Sequence, residues 1–82
     1  MAKILYFASL VDKLGTPSEE VTLPADVVDV RTLLAWLRTR EGNWEIALMD
    51  NKVRVTVNRQ FAALETRIDD AVEIAIVPTG AG

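Results

Sequence analysis

Val72-Glu73-Ile74-Ala75-Ile76-Val77, running into Pro78-Thr79-Gly80-Ala81-Gly82, is the stretch on which the fold turns. Val72, Ile74 and Ile76 recur at every second position, the period of a strand with one face in a core. Pro78 fixes φ and withholds a ladder donor, which stiffens the exit from that strand. Two glycines and an alanine then leave almost no side chain around the terminal carboxylate. A chain end beside a core strand is tied at its base and free at its tip. Fully extended, its five residues reach about 17 Å. The pattern therefore predicts one body over residues 1–77 and a flexible tail over 78–82 that can enter a narrow channel in another protein.

The other elements are placed around this strand. Lys3-Ile4-Leu5-Tyr6-Phe7-Ala8 is a continuous apolar run, as strands covered on both faces are, and is expected near the sheet centre. The first and last strands are the most apolar and are expected side by side. Ser9 to Leu14 is compatible with a short helix, and Gly15-Thr16-Pro17-Ser18 is turn chemistry. Glu19 to Leu23 alternates and is expected to form a hairpin with the first strand. Asp29 is a suitable N-cap for a helix bearing Val30, Leu33, Leu34 and Leu37 on one face and ending near Gly42. Trp44, Ala47 and Leu48 suggest a second short helix. Val53 to Val57 alternates as a third strand, Asn58-Arg59-Gln60 is a turn, and Phe61 to Ile68 is irregular with Leu64 and Ile68 pinned to the core. Strand, strand, helix, strand, strand is an α+β order, the β-grasp or ubiquitin-like roll: a mixed sheet with one main helix on one face.

Composition narrows the function. The chain has 82 residues, half of them hydrophobic, 26% charged, and a formal net charge of −3. One small domain fits that length, and scattered cations do not make a nucleic-acid footprint. There is neither cysteine nor histidine, so no thiolate, disulfide, Cys-based metal site or histidine base exists. No apolar run reaches the roughly 18 residues of a membrane span. The first residues lack the pattern of a secretory signal. Cytoplasmic location, without membrane or nucleic-acid partners, is the expectation.

Glu19-Glu20 and Asp69-Asp70 are expected to be solvated surface, since acidic side chains normally stay exposed. Lys3, Lys13 and Lys52 are expected on the surface outside any pocket, and Ser9 has no histidine to activate it. Trp36, Trp44 and Phe7 are expected to pack on the core. Phe61, after a turn, and Val77, beside the tail, could form an apolar patch for a partner; Phe7 is counted with them as a partner-binding candidate. By elimination, the reactive group in an unusual setting is the Gly82 carboxylate. It is ionised at neutral pH and a poor electrophile until another enzyme adenylates it. A glycine leaves a narrow active site unobstructed.

With tail and topology assembled, the chain resembles the family of small, sulfur-carrying subunits of molybdopterin synthase. The similarity rests on Lys3 to Ala8 with Leu14-Gly15-Thr16, on Trp44 with Ala47-Leu48, on Val57-Asn58, on Ile68-Asp69-Asp70 before Glu73-Ile74-Ala75, and on the Gly-terminated tail. The resemblance implies that an adenylating enzyme of the ubiquitin-activating type spends ATP to activate Gly82, this chain holding no cofactor or metal itself. A sulfur donor protein then converts the adenylate to a thiocarboxylate. It also implies docking on the large synthase subunit, in a heterotetramer of two small and two large chains, with catalytic side chains on the large subunit. Sulfur then passes to the pterin precursor. Three positions depart from the family pattern: Ala81 replaces the usual glycine, Ala71-Val72 replaces Gly-Asp, and Val11 replaces an arginine, whose docking contacts do not carry over. A β-grasp sulfur carrier for thiamine or cysteine synthesis, and an interaction module whose tail is never activated, are the alternatives.

Overall fold

The computed structural model describes residues 1–69 and 72–79. Five strands and three helices follow one another as β1 (Ala2–Tyr6), α1 (Ser9–Leu14), β2 (Ser18–Val21), α2 (Val30–Leu37), α3 (Trp44–Ala47), β3 (Val53–Val57), β4 (Gln60–Ala62) and β5 (Glu73–Pro78). The strands form one sheet in the order β2-β1-β5-β3-β4. β1 and β5 pair in parallel, with Ile4 opposite Ile74 and Tyr6 opposite Ile76, and the remaining pairs are antiparallel. This is the expected β-grasp roll, with first and last strands adjacent.

One face of the sheet meets the helices. Ile4, Tyr6, Val53, Val55, Ile74 and Ile76 share a buried cluster with Val30, Leu33, Leu34 and Leu37 of α2. Leu10, Leu14, Ala47 and Leu48 extend it under α1 and α3. Helix α2 starts where its chemistry dictates: the Thr32 amide donates to Asp29 Oδ1 at 2.8 Å, and the Asp29 amide donates to Thr32 Oγ1 at 3.0 Å. Two more free amides of its first turn, Val30 and Arg31, donate to the carbonyls of Thr66 and Leu64. The loop after β4 thus completes the helix start, and its Ile68 is buried and Leu64 half-buried, as expected.

Four boundaries differ from expectation. β1 ends at Tyr6 because Ala8, at φ 54°, turns the chain out of the sheet. β2 begins at Ser18 and stops at Val21, so Leu23 is buried from a loop. Helix α2 ends at Leu37, not near Gly42, and Arg38 and Arg40 lie beyond it in ion pairs with Asp50 and Glu19. Residues 60–62 form a strand instead of irregular chain: Asn58 and Arg59, at φ 52° and 70°, make the tight turn that returns β4 along β3.

The opposite face has no helix over it among the described residues. Alternation along the paired strands puts Leu5, Ala75, Val77, Thr56 and Phe61 there. The apolar run in β1 is therefore covered on one side only, contrary to the expectation of two covered faces. No described helix is long and apolar enough to cross a membrane.

Replacing Ile74, fully buried at the centre of the sheet, with alanine should lower unfolding free energy by about 2–5 kcal/mol. Urea denaturation measures it; a loss below about 1 kcal/mol would place Ile74 outside a close-packed core.

Candidate functional site

The site is assembled around the exit of β5. The ladder does not stop at Val77: Pro78 pairs with Val53 as the last residue of the strand. The Thr79 amide then donates to the Lys52 carbonyl at 3.0 Å, and the Thr79 hydroxyl lies 3.4 Å from the Asn51 carbonyl. Pro78 is tolerated because it ends the strand, where a missing donor costs little. The chain is thus held through Thr79. Gly80, Ala81 and Gly82, including the carboxylate expected to react, lie outside the described residues. Fully extended, the three residues after Thr79 add at most about 10 Å.

Phe7, Phe61 and Val77 are brought to one face. The Phe7 amide donates to the Ile76 carbonyl, continuing the β1–β5 register and setting Phe7 on the side of Leu5, next to Val77. Phe61 lies two strands away, opposite Thr56. Phe61 is 75% exposed and Phe7 45%, while Val77 is half-buried. The expectation that Phe7 packs in the core is therefore corrected: it follows Tyr6, whose side chain takes the core side, so period two sends it outward. Leu5 and Ala75, half-buried between these residues, make the face continuous.

On the helical side of the exit lies a cleft of about 330 Å³, bounded by Leu10 and Lys13 of α1, Ile46 and Ala47 of α3, and Pro78 and Thr79. Lys52 also lines it. Lys13 and Lys52 were expected outside any pocket, and this too is corrected. They are 39 positions apart in the chain (52 − 13), and only the pairing of β3 with β5 brings Lys52 to the tail.

A side-chain network braces this side. Arg40 grips Glu19 with two hydrogen bonds, 2.7 and 2.9 Å, while the Tyr6 hydroxyl donates to Glu19 at 2.7 Å. The guanidinium sits 4.4 Å from the Trp44 ring centre and 5.6 Å from that of Trp36. The Trp44 ring meets Tyr6 edge-on at 5.5 Å. Glu19 is thus partly buried in an ion pair, where solvated surface was expected; its place opposite Ile4 turns it to the helical side of the sheet, while Glu20, opposite Lys3, stays exposed. Trp36 and Trp44 are half-buried against the core. Hydrogen bonds from Arg40 and Tyr6 outweigh desolvation and hold the Glu19 carboxyl below its ordinary range. Burial, followed by the bond to Glu19, pushes the Tyr6 hydroxyl well above its own. Among the described residues no group of three or more metal-ligating side chains gathers.

A family model described as the ThiS family matches residues 4–82. The molybdopterin synthase sulfur carrier subunit of Escherichia coli K12 is 30% identical over 82 residues, all of this chain and 99% of that protein. Among solved structures, a candidate molybdopterin converting factor subunit 1 from Pyrococcus furiosus matches with a TM-score of 0.76 at 23% identity, over 94% of each chain. The small archaeal modifier SAMP1 of Haloferax volcanii matches with a TM-score of 0.72 at 23% identity, over 99% of this chain and 97% of its own. At these identities the two structures speak for the fold.

Replacing Glu19 with glutamine should cost about 1 kcal/mol at neutral pH, a value discounted for the solvent around the pair. Because folding depresses the Glu19 pKa, its contribution is complete above the unfolded value of about 4.3. It is lost as pH falls through the folded value. Chemical denaturation across that range should show the gap between native protein and variant closing on acidification; a gap unchanged down to about pH 3 would contradict the ion-pair assignment.

Proposed function

Because the chain belongs to the ThiS family, we propose that it is the sulfur carrier of molybdopterin synthesis, with the Gly82 carboxylate as its working group. The full-length similarity to the Escherichia coli sulfur carrier subunit carries this reading. The sheet supports it, ending its central strand at a small-residue terminus beside an exposed apolar face.

In this proposal a partner of the ubiquitin-activating type binds the tail and lets a Gly82 carboxylate oxygen attack the α-phosphorus of ATP. Pyrophosphate leaves, and the carboxylate becomes an acyl-adenylate. A sulfur donor protein supplies the nucleophile that displaces AMP, leaving a thiocarboxylate. The loaded carrier docks on the large synthase subunit, two of each forming the heterotetramer, and gives its sulfur to the pterin precursor. Water returns the terminus to a carboxylate, and a second delivery completes the dithiolene. ATP is thus consumed by the activating enzyme and is not a cofactor of this chain.

What this chain contributes is position. The Thr79 anchor fixes where the tail starts, and Phe7, Phe61 and Val77 offer an apolar docking face. The methyl of Ala81 restricts the backbone more than the usual glycine would, but it adds little bulk ahead of Gly82. Carriers for thiamine or cysteine synthesis would share this chemistry and differ in the protein that accepts the tail.

Co-expression with a matching activating enzyme and sulfur donor should add about 16 Da, one sulfur for one oxygen at the terminus. Intact-mass spectrometry reads this directly, and a protein that never gains that mass would remove the carrier function. One residue added after Gly82 should abolish the gain without changing the thermal midpoint. Phe61→Ser should weaken binding to the large subunit by about 30-fold, the scale of a central aromatic anchor; unchanged affinity in a titration would remove Phe61 from the interface.

A further inference from the structure

The cleft on the helical side of the strand exit has no part in the chemistry above, and it sets two lysines beside apolar side chains. Its floor is apolar, formed by Leu10, Ala47 and Pro78, and Ile46 stands at its rim 61% exposed. Lys13 and Lys52 line it, and none of the described residues lining it is acidic. Among the described residues, neither ammonium belongs to an ion pair. In a chain of net charge −3, this is a local inversion of sign that attracts carboxylates. Its volume of about 330 Å³ is at the lower end of ligand pockets, roughly 300–1,000 Å³. That suits one or two inserted side chains better than a cofactor.

Chain length decides what comes there. Thr79 is a wall of the cleft, and the three residues after it extend at most about 10 Å. A protein that encloses the Gly82 carboxylate therefore brings its own surface close to this wall. We propose that the cleft is a docking site for an acidic, apolar-tipped segment of the large subunit that receives the tail. Its apolar side chain rests on Leu10, Ala47 and Pro78, and its carboxylates face Lys13 and Lys52. The inference rests on the sulfur-carrier reading. It adds a charged contact on the flank opposite the open sheet face, so that the exit is gripped from two sides and the tail is aimed.

The test is the affinity of the carrier for the large subunit, titrated at low and high salt. Lys13→Glu/Lys52→Glu should weaken binding about 30-fold or more at low salt, as reversal of close charge pairs does. It should also flatten the salt dependence. Lys13→Ala/Lys52→Ala should lose about 10-fold, and it serves if the reversed variant fails to fold. A matched reversal elsewhere, Arg31→Glu/Arg67→Glu, should stay within about threefold, because exposed distant charges are screened. Equal losses in the matched variant would assign the effect to net charge and overturn the docking site. Native affinity in both lysine variants would overturn it too, while leaving the sulfur-carrier reading intact. Failure of the unaltered protein to bind the large subunit at all would overturn both.

Discussion

The parallel pairing of β1 with β5 is the constraint from which the remaining structure follows. It joins the two ends of the sequence, sets Ile4 and Tyr6 beside Ile74 and Ile76, and gives α2 a flat apolar surface to cover. Parallel neighbours need a connection longer than a hairpin, and here nearly the whole chain serves as that connection. The two hairpins flank this pair, β2 on one side and β3 with β4 on the other. A consequence is that the C-terminal strand lies in the middle of the sheet, bonded to β1 as far as Ile76 and to β3 and the residue before it as far as Pro78 and Thr79. A strand held this way fixes where the residues after Thr79 begin. That is what a protein needs if its terminus must reach into another protein's active site.

The same pairing accounts for the two surfaces beside the exit. Period two along β1 and β5 buries Ile4, Tyr6, Ile74 and Ile76, and leaves Leu5, Phe7, Ala75 and Val77 on the other side. An apolar run in a central strand usually means cover on both faces. Here one face is covered by the protein's own helices and the other has no helix over it among the described residues. The helical flank differs in kind. Arg40, held between Glu19 and the ring of Trp44, ties the loop after α2 to β2 and α3. This fixes α3 as one wall of the cleft that carries Lys13 and Lys52.

Much of the fold was legible because its signals are local. Asp29 before a helix with Val30, Leu33, Leu34 and Leu37, and the alternation in Val53 to Val57, depend on neighbours in sequence; the helix start and the strand formed as read, and the helix end did not. β4 escaped notice because three residues carry no measurable period, and because its turn uses Asn58 and Arg59 at positive φ without a glycine. Glu19, Phe7 and the two lysines were misplaced for another reason. Which face a strand residue takes, and which distant loop lies next to it, is settled by register between strands. A doublet such as Glu19-Glu20 contains no trace of the Arg40 that partners one member. Of the candidate site, the exposed face shared by Phe61 and Val77 was readable and the cleft was not, while Gly82 lies outside the described residues.

The central claim is that the body fixes the origin of a short tail whose reach is matched to a receiving site. One glycine inserted between Thr79 and Gly80 tests it most directly, since it lengthens the reach by about 3.4 Å and leaves every described contact in place. Sulfur delivery by the loaded carrier to the pterin precursor on the large subunit is the quantity to measure. A matched reach predicts a loss of about 100-fold, the cost of misplacing a reacting atom, with an unchanged thermal midpoint. Delivery at the native rate would mean that the tail is a loose tether and that the Thr79 anchor has no part in aiming it.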